Sequence, residues 1–233
     1  MWGHMVQVPI KNALAQPNHM QNITSSTSFL APPPYRQIRA RYDPETVRVY
    51  QAYRPEIADA AVAAGRFVPP FSLDRMTWLK PSFLWMMYRC GWATKPGQER
   101  VLAVDITREG FEWALSHSCL SHYEPNTYAT EEEWSALKTE SPVRIQWDPE
   151  RSAALDRLEW RSIQIGVGGD AVPRYASEWV TSITDITSTV HRIAASENMT
   201  RTSLLNEILA HERPYPLSSA IAARIGATPK DSS

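Results

Sequence analysis

Apolar and polar residues alternate with a period of two in several segments of the chain, and such alternation is typical of half-buried β-strands. It predicts strands at residues 47–53 and 143–147, a near-continuous apolar run predicts a third at 101–106, and a fourth is expected at 160–167. Apolar residues at helical spacing predict helices, at residues 56–64, 82–88, 108–118, 171–180, 183–194, 202–210 and 218–225. Thr107 and Asp170 are expected to cap the helices that follow them. Because strands and helices mix without a regular alternation, the sequence predicts a single domain with an α+β fold.

The first 34 residues lack this periodicity. They are rich in Ser, Thr, Asn, Gln and Pro, and they end in Pro32-Pro33-Pro34, a sequence typical of an extended spacer. We therefore predict a disordered tail over residues 1–34 and a core domain over residues 35–195. Residues 196–233 are predicted to form a C-terminal helical extension and tail.

Composition favours a protein of the cytoplasm. The chain has 233 residues, 43% of them hydrophobic, which suits one compact domain. Its two cysteines, Cys90 and Cys119, lie in apolar stretches and are expected to be buried, reduced thiols. The longest apolar run, Phe83 to Met87, is too short to cross a bilayer, and the N-terminus does not resemble a secretory signal. We expect a cytoplasmic location and no association with a membrane.

Charge is distributed unevenly along the chain although the net charge is only −1. Residues 35–108 contain 12 basic and 7 acidic residues, whereas residues 109–213 contain 9 and 17. A basic first half is mild evidence for an anionic ligand, because cations attract phosphates and carboxylates. Internal salt bridges would use the same residues equally well.

Residues 75–89 combine bulky aromatic side chains with positive charges at both ends of a predicted helix. Aromatic surface edged by fixed cations suits a flat anionic ligand such as a nucleotide. The alternative is a core helix whose charged ends reach water. The candidate ligand-binding residues of this segment are Arg75, Trp78, Lys80, Trp85 and Arg89.

The third predicted strand places a cation, an amide and a carboxylate on one face. Arg144, Gln146 and Asp148 alternate with the apolar Val143, Ile145 and Trp147. Such a row could hold a ribose or base edge and supply a general base at Asp148, or at Glu150 just beyond. The alternative is a solvent-facing strand with an Arg–Asp pair.

Other polar residues call for partners. Gln51 shares a strand face with Val47, Val49 and Tyr53, and a buried amide needs hydrogen bonds from a ligand or from the protein. Asp105, in another apolar strand, is expected to pair with an Arg.

The cluster formed by His117, Cys119, His122 and Glu124 lacks the second, well-separated ligand pair that is usual in zinc sites, so we expect no metal.

Several segments together strongly resemble a widespread family that is catalogued only as a domain of unknown function. The resemblance extends over roughly residues 35–195 and implies no established activity. The segments that carry it are 39–43, 47–53, 65–71, 76–89, 94–100, 142–151 and 160–166.

A looser resemblance concerns the strand Val49-Tyr50-Gln51-Ala52. It is similar to the first strand of ADP-ribosyltransferase-like folds, which bind NAD in a cleft between two small sheets flanked by helices. In those enzymes the first strand offers Arg or His to NAD, and a late strand offers a catalytic Glu. Here Gln51 stands at the first position with Arg48 nearby, and Glu150 follows the late strand.

The resemblance implies a nucleotide-binding protein, with NAD as the expected cofactor and transfer of ADP-ribose as the expected chemistry. Gln51, Asp148 and Glu150 are then the candidate catalytic residues. The candidate cofactor-binding residues are Arg48, Tyr50, Tyr53, Arg75, Trp78, Lys80, Trp85, Arg89, Arg144 and Gln146. The alternative is a non-enzymatic module that binds RNA or another protein, with its basic half on phosphates and its aromatics stacked on bases.

Overall fold

The computed structural model describes residues 33–229 and confirms the α+β class. The strands are β1 (Arg39–Ala40), β2 (Thr46–Tyr53), β3 (Thr77–Leu79), β4 (Arg100–Thr107), β5 (Ser118–Leu120), β6 (Val143–Arg151), β7 (Arg157–Val167), β8 (Val180–Asp185) and β9 (Arg213–Pro214). The α-helices are α1 (Pro55–Ala64), α2 (Phe83–Cys90), α3 (Arg108–Ser116), α4 (Glu131–Glu140), α5 (Ala171–Arg174), α6 (Thr187–Ala195), α7 (Asn198–Leu209) and α8 (Ser219–Arg224).

Two main sheets organise the described residues. One has three strands in the order β2-β4-β8, and the other has four in the order β3-β7-β6-β5. All neighbours in them are antiparallel except β5 and β6. The sheets touch where Tyr50 of β2 forms an isolated bridge with Lys80, the residue after β3. A short pair, β1 with β9, lies beside them.

The four strands predicted from the sequence are all present, as β2, β4, β6 and β7. On β6 the apolar Val143, Ile145 and Trp147 are buried, whereas Arg144 and Gln146 are only partly covered. This confirms that the two sets of side chains lie on opposite faces of the sheet. The apolar set packs into the main core of the domain.

Local sequence features set where helices α1, α2 and α3 begin or end. Pro55 opens α1, and Gly65 ends it with φ of 66°, a left-handed conformation that glycine adopts without strain. The Thr107 side chain caps α3 by accepting from the N–H of Gly110, as expected. Helix α2 begins after Ser82, whose Oγ accepts from the N–H of Trp85, so Pro81 lies just before the helix.

Two helix predictions were wrong in detail. The helix expected over residues 171–180 is α-helical only to Arg174 and continues as a π-helical turn, Tyr175–Trp179. Asp170 makes no side-chain capping hydrogen bond there. Residues 183–185, expected at the start of a helix, belong to β8, because they pair with β4 along an open edge of the three-stranded sheet.

Residues beyond 195 contribute to the two buried clusters of the domain. Leu205, Tyr215 and Ile225 are each at most 3% exposed, and the N–H of Tyr215 donates to the carbonyl of Ile38. The tail expected over residues 1–34 falls almost wholly outside the described residues. Over residues 33–229 the helices are all too short or too polar to span a bilayer.

Candidate functional site

A cleft of about 730 Å³ opens where the two main sheets meet. Strand β2 forms one wall, while β3, β6 and β7 contribute to the other, and the segments around residues 70–76 and 96–98 border the opening. Seven of the residues singled out from the sequence line this cleft: Gln51, Tyr53, Arg75, Trp78, Lys80, Arg89 and Gln146. The fold therefore brings together residues from four separate segments of the chain.

Gln51 is fixed by the protein itself. Its side chain is 2% exposed, and its Nε2 donates to Thr77 Oγ1 at 2.8 Å and to the carbonyl of Trp78 at 3.2 Å. The hydroxyl of Tyr175 donates to its Oε1. These bonds use the oxygen and both hydrogens of the amide. Of the two interpretations offered for Gln51, the geometry favours a structural amide at the cleft wall.

Lys80 is the most unusual ionisable group of the cleft. It is 7% exposed, and its Nζ donates to the carbonyl of Trp78 at 3.1 Å and lies 5.4 Å from the ring centre of Trp85. Burial lowers the pKa of Lys80 to about 7, and the positive charge of Arg89 acts in the same direction. The negative charge of Asp148 acts against them and raises the pKa. A substantial fraction of the Lys80 amine is therefore neutral near pH 7.

The lining of the cleft is positive. Arg54, Arg75, Lys80 and Arg89 all line it, and none of the described lining residues is Asp or Glu. Arg75 and Arg89 are both exposed, and an Nη of Arg89 donates to Gln98 Oε1 at 3.4 Å. Guanidinium groups at an open cleft remain able to form paired hydrogen bonds with a phosphate or carboxylate.

Two glutamines are paired across neighbouring strands of the four-stranded sheet, and both donate hydrogen bonds to the carboxylate of Asp148. Gln146 of β6 and Gln164 of β7 are paired in the sheet register, and both line the cleft. Nε2 of Gln146 donates to Asp148 Oδ1 at 3.0 Å, and Nε2 of Gln164 donates to Oδ2 at 2.6 Å. Asp148 thus lies behind an amide layer, with both of its oxygens accepting hydrogen bonds.

Trp78 lies over the glycine of the neighbouring strand. It pairs with Gly166 of β7, where an added Cβ would lie 3.0 Å from the Trp78 ring and 2.7 Å from Met76 Sδ. Gly166 therefore lets the indole and Met76 lie close to the sheet. The Trp78 side chain is only partly buried, so the cleft keeps an aromatic surface on this wall.

Besides Asp148, five sequence candidates are not among the residues that line the cleft. Tyr50 packs edge-on against Phe83, and Trp85 is buried on α2. Arg48 forms a bidentate pair with Asp105, at 2.8 and 2.6 Å, which confirms the expected partner for that acid. Arg144 donates to the backbone carbonyls of residues 138, 141 and 143. The fifth, Glu150, turns toward the start of α2.

Glu150 lies in a buried acidic pair that the sequence did not indicate. Its Oε1 accepts from Ser82 Oγ at 2.9 Å, while Oε1 of Glu212 accepts from the N–H of Phe83 at 2.8 Å. Burial, together with the nearby charge of Glu150, raises the pKa of Glu212 to about 8. Burial also raises the pKa of Glu150. The pair therefore lies at the N-terminal end of α2, whose dipole favours negative charge.

Sequence reasoning missed several cleft residues. The lining residues that it missed include Arg54, Thr77, Gln98 and Gln164. It also missed Tyr175, whose hydroxyl donates a hydrogen bond to Gln51. A signal existed only for Gln164, which alternates with Ile163 and Ile165 on β7 as Gln146 does with its neighbours on β6. In the part of the chain that the structure describes, no group of three or more His, Cys, Asp or Glu side chains could hold a metal ion.

The comparisons with known proteins identify a family. A search of curated proteins found no match. A family model described as "Domain of unknown function (DUF4291)" matches residues 37–215, which include both main sheets and every residue of the cleft. The match covers well over half of the chain. This protein therefore belongs to the DUF4291 family.

Proposed function

We propose that the cleft binds a nucleotide, with NAD as the leading candidate. One observation carries the proposal: three arginines, a buried lysine, a partly exposed tryptophan and an amide pair line a single cavity that has no acidic side chain among its described lining residues. Cations attract the phosphates, the indole offers a surface for a base, and amides can hydrogen-bond a ribose or base edge.

From the positions of the lining residues, we propose where each part of a dinucleotide binds. Arg75 and Arg89, both exposed, are suited to the diphosphate, and Lys80 lies deeper on the same side. Trp78 and Tyr53 border the region available to a base. The ribose that would react is then placed near Gln146 and Gln164, in front of Asp148.

The reaction that we propose is transfer of ADP-ribose. The bond between nicotinamide and ribose C1′ breaks, nicotinamide leaves with the bond electrons, and an acceptor nucleophile bonds to C1′. Positive charge develops on the ribose as the bond breaks, and a nearby carboxylate lowers that barrier electrostatically. Asp148 is the acid held closest to the amide pair, so it is our candidate for this role.

The proposal is tested by calorimetric titration of the full chain with NAD, ADP-ribose and ATP. Arg75→Ala and Arg89→Ala should each raise the Kd for ADP-ribose about tenfold or more, because a charge-assisted hydrogen bond is worth about 1.5–3 kcal/mol. Arg66→Ala is the matched control, since Arg66 is exposed and does not line the cleft. Release of nicotinamide from NAD tests the transfer step separately.

Binding of RNA is a second candidate, supported by one observation at the surface. Tyr88 is 41% exposed, with the Arg151 guanidinium 3.4 Å from its ring centre and Lys95 Nζ at 5.7 Å. An exposed aromatic ring flanked by cations can stack on a base. RNA affinity that falls steeply with salt and is unaffected by NAD would favour this function.

A cytoplasmic location is part of the same proposal. Both cysteines are free and buried, which supports a reducing compartment.

A further inference from the structure

Lys80 is buried, lines the cleft and has few hydrogen-bond partners for its amine. Within residues 33–229 its Nζ makes one hydrogen bond, to the carbonyl of Trp78, and has no carboxylate oxygen within 4.0 Å. That carbonyl also accepts from Gln51. A charged ammonium carries three donors, so a buried one needs more partners than this environment supplies.

The groups that shift the pKa of Lys80 lie on α2 and β6. Arg89 on α2 and burial lower its pKa to about 7, while Asp148 on β6 and Cys90 at the end of α2 act in the opposite direction. An ordinary lysine has a pKa near 10.4 and is almost wholly protonated at pH 7, with roughly one molecule in a few thousand neutral. A neutral amine in a ligand-sized cavity is a nucleophile.

We propose that Lys80 forms an imine with a phosphorylated aldehyde or ketone bound in the cleft. The proposal rests on the anion-binding part of the proposed function, because Arg75 and Arg89 would hold the phosphate while Lys80 meets the carbonyl carbon. The class includes ADP-ribose, whose terminal ribose opens to an aldehyde. It also includes simple sugar phosphates.

The chemistry needs no oxidant or metal. The lone pair of Nζ attacks the carbonyl carbon, and the carbonyl oxygen takes up a proton to give a carbinolamine. One hydrogen of the nitrogen accounts for the proton on the oxygen of the carbinolamine, and the other leaves with the hydroxyl as water, so that one C=N bond replaces one C=O bond. The positively charged surroundings favour the neutral amine that begins this sequence.

The test uses pyridoxal 5′-phosphate, an aldehyde that carries a phosphate, with borohydride reduction to make the adduct permanent and peptide mapping by mass spectrometry. At pH 7 the full chain should be modified at Lys80 at least ten times faster than at Lys95 or Lys138. Lys95 is exposed and Lys138 is half-buried, and both lie outside the cleft. Lys80→Met should lose the fast adduct and keep the slow ones.

Pyridoxal without the phosphate is the matched probe. It should modify Lys80 at least ten times more slowly than pyridoxal 5′-phosphate, and Arg75→Ala should slow only the phosphorylated probe. Modification of Lys80 no faster than Lys95, in the folded wild-type chain, would overturn the proposal. Equal rates with the two probes would overturn the phosphorylated substrate class.

These outcomes distinguish a failure of the imine proposal from a failure of the proposed nucleotide binding. Tight ADP-ribose binding without a Lys80 adduct would overturn the imine and leave nucleotide binding standing. Selective modification of Lys80 by pyridoxal 5′-phosphate, in a protein that binds none of the nucleotides, would support the imine and count against the NAD proposal.

Discussion

The backbone N–H of Tyr50 donates a 2.7 Å hydrogen bond to the carbonyl of Lys80, and this bond joins the two main sheets. It fixes the relative positions of β2 and the end of β3 at the base of the cleft. Gln51, the next residue on β2, then reaches the backbone of Trp78. The base of the cleft is therefore built from main-chain and amide contacts, which leaves its charged side chains available to a ligand.

Gln51→Ala should destabilise the protein because it removes the amide that joins β2 to β3 and to Tyr175. The Tyr175 hydroxyl is fully buried and would lose its acceptor. We expect the free energy of unfolding to fall by roughly 2–4 kcal/mol, from unpaired buried groups and a small cavity. Urea denaturation followed by tryptophan fluorescence measures the change.

The matched control is Gln98→Ala, another cleft glutamine that is half-buried and has one long hydrogen bond. Its effect on stability should stay within about 0.5 kcal/mol. Equal effects for the two variants would contradict the structural role of Gln51.

Glu212→Gln should change how stability depends on pH. The folded pKa of Glu212 is about 8 against an ordinary value of 4.5, so the folded protein holds a proton that the unfolded chain releases. Its contribution to stability is therefore complete below about pH 4.5 and is lost as the pH rises through about 8. Gln stays neutral and keeps an oxygen for the N–H of Phe83. We expect the variant to exceed the wild type by roughly 1–3 kcal/mol at pH 9.

Thermal unfolding between pH 5 and pH 9 tests this expectation. Glu207→Gln on α7 is the control, because Glu207 is exposed and should leave the pH profile of the wild type unchanged. A Glu212→Gln profile that runs parallel to the wild-type profile would show that Glu212 ionises normally.

Gly110→Ala should be destabilising although alanine favours helices by about 1 kcal/mol. A Cβ at Gly110 would lie less than 3.0 Å from three atoms of Trp179, a buried residue of the π-helical turn. Separating α3 from that turn should cost about 1–3 kcal/mol net of the helix preference. Glu109→Ala, on the exposed side of the same helix, should change stability by less than about 0.5 kcal/mol, as measured by urea denaturation.

Asp148→Asn should lower the pKa of Lys80 further, because the charge of Asp148 raises it in the wild type. The midpoint of the pH profile for Lys80 modification should move to lower pH, while Lys95 shows no change. Asp156→Asn, an exposed replacement away from the cleft, should leave the midpoint in place. An unchanged midpoint in Asp148→Asn would mean that Asp148 does not act on Lys80.

The long strands could be predicted because alternation is a local property of the sequence. β6 and the first half of β2 bury one face, so their apolar residues recur at every second position. β3, β5 and β9 have only two or three residues and carry no such signal. β8 is an edge strand, and its residues Thr181 and Ser182 are polar. Because it lacks a clear apolar alternation, its second half could not be distinguished in the sequence from the start of the helix that follows.

The candidate site was predictable where one segment carried several of its residues. Arg75, Trp78, Lys80 and Arg89 are close in sequence, and all four line the cleft. Glu150 was expected to continue the row formed by Gln146 and Asp148, but the β6–β7 register shifts between Pro149 and Arg151. A bulge of this kind depends on the partner strand and cannot be read from one strand alone.

The relation to ADP-ribosyltransferase-like folds stays a prediction, as does binding of NAD. Two small sheets that meet at a cleft are what that resemblance implied, and the same arrangement can serve many chemistries. The lining residues, rather than the fold, support the proposed ligand.

The pairing of β1 with β9 has a consequence for how the protein is made. Arg39 contacts the backbone of Glu212, which lies 173 residues later in the chain, and Ile38 accepts from Tyr215. A ribosome releases the chain from its first residue onward, so Ile38 emerges long before Tyr215, its backbone hydrogen-bond partner. Until residue 215 follows, β1 lacks its partner strand β9 and the core around Ile38 lacks the Tyr215 ring. Nascent chains of this protein should therefore depend on chaperones at least until Tyr215 has emerged.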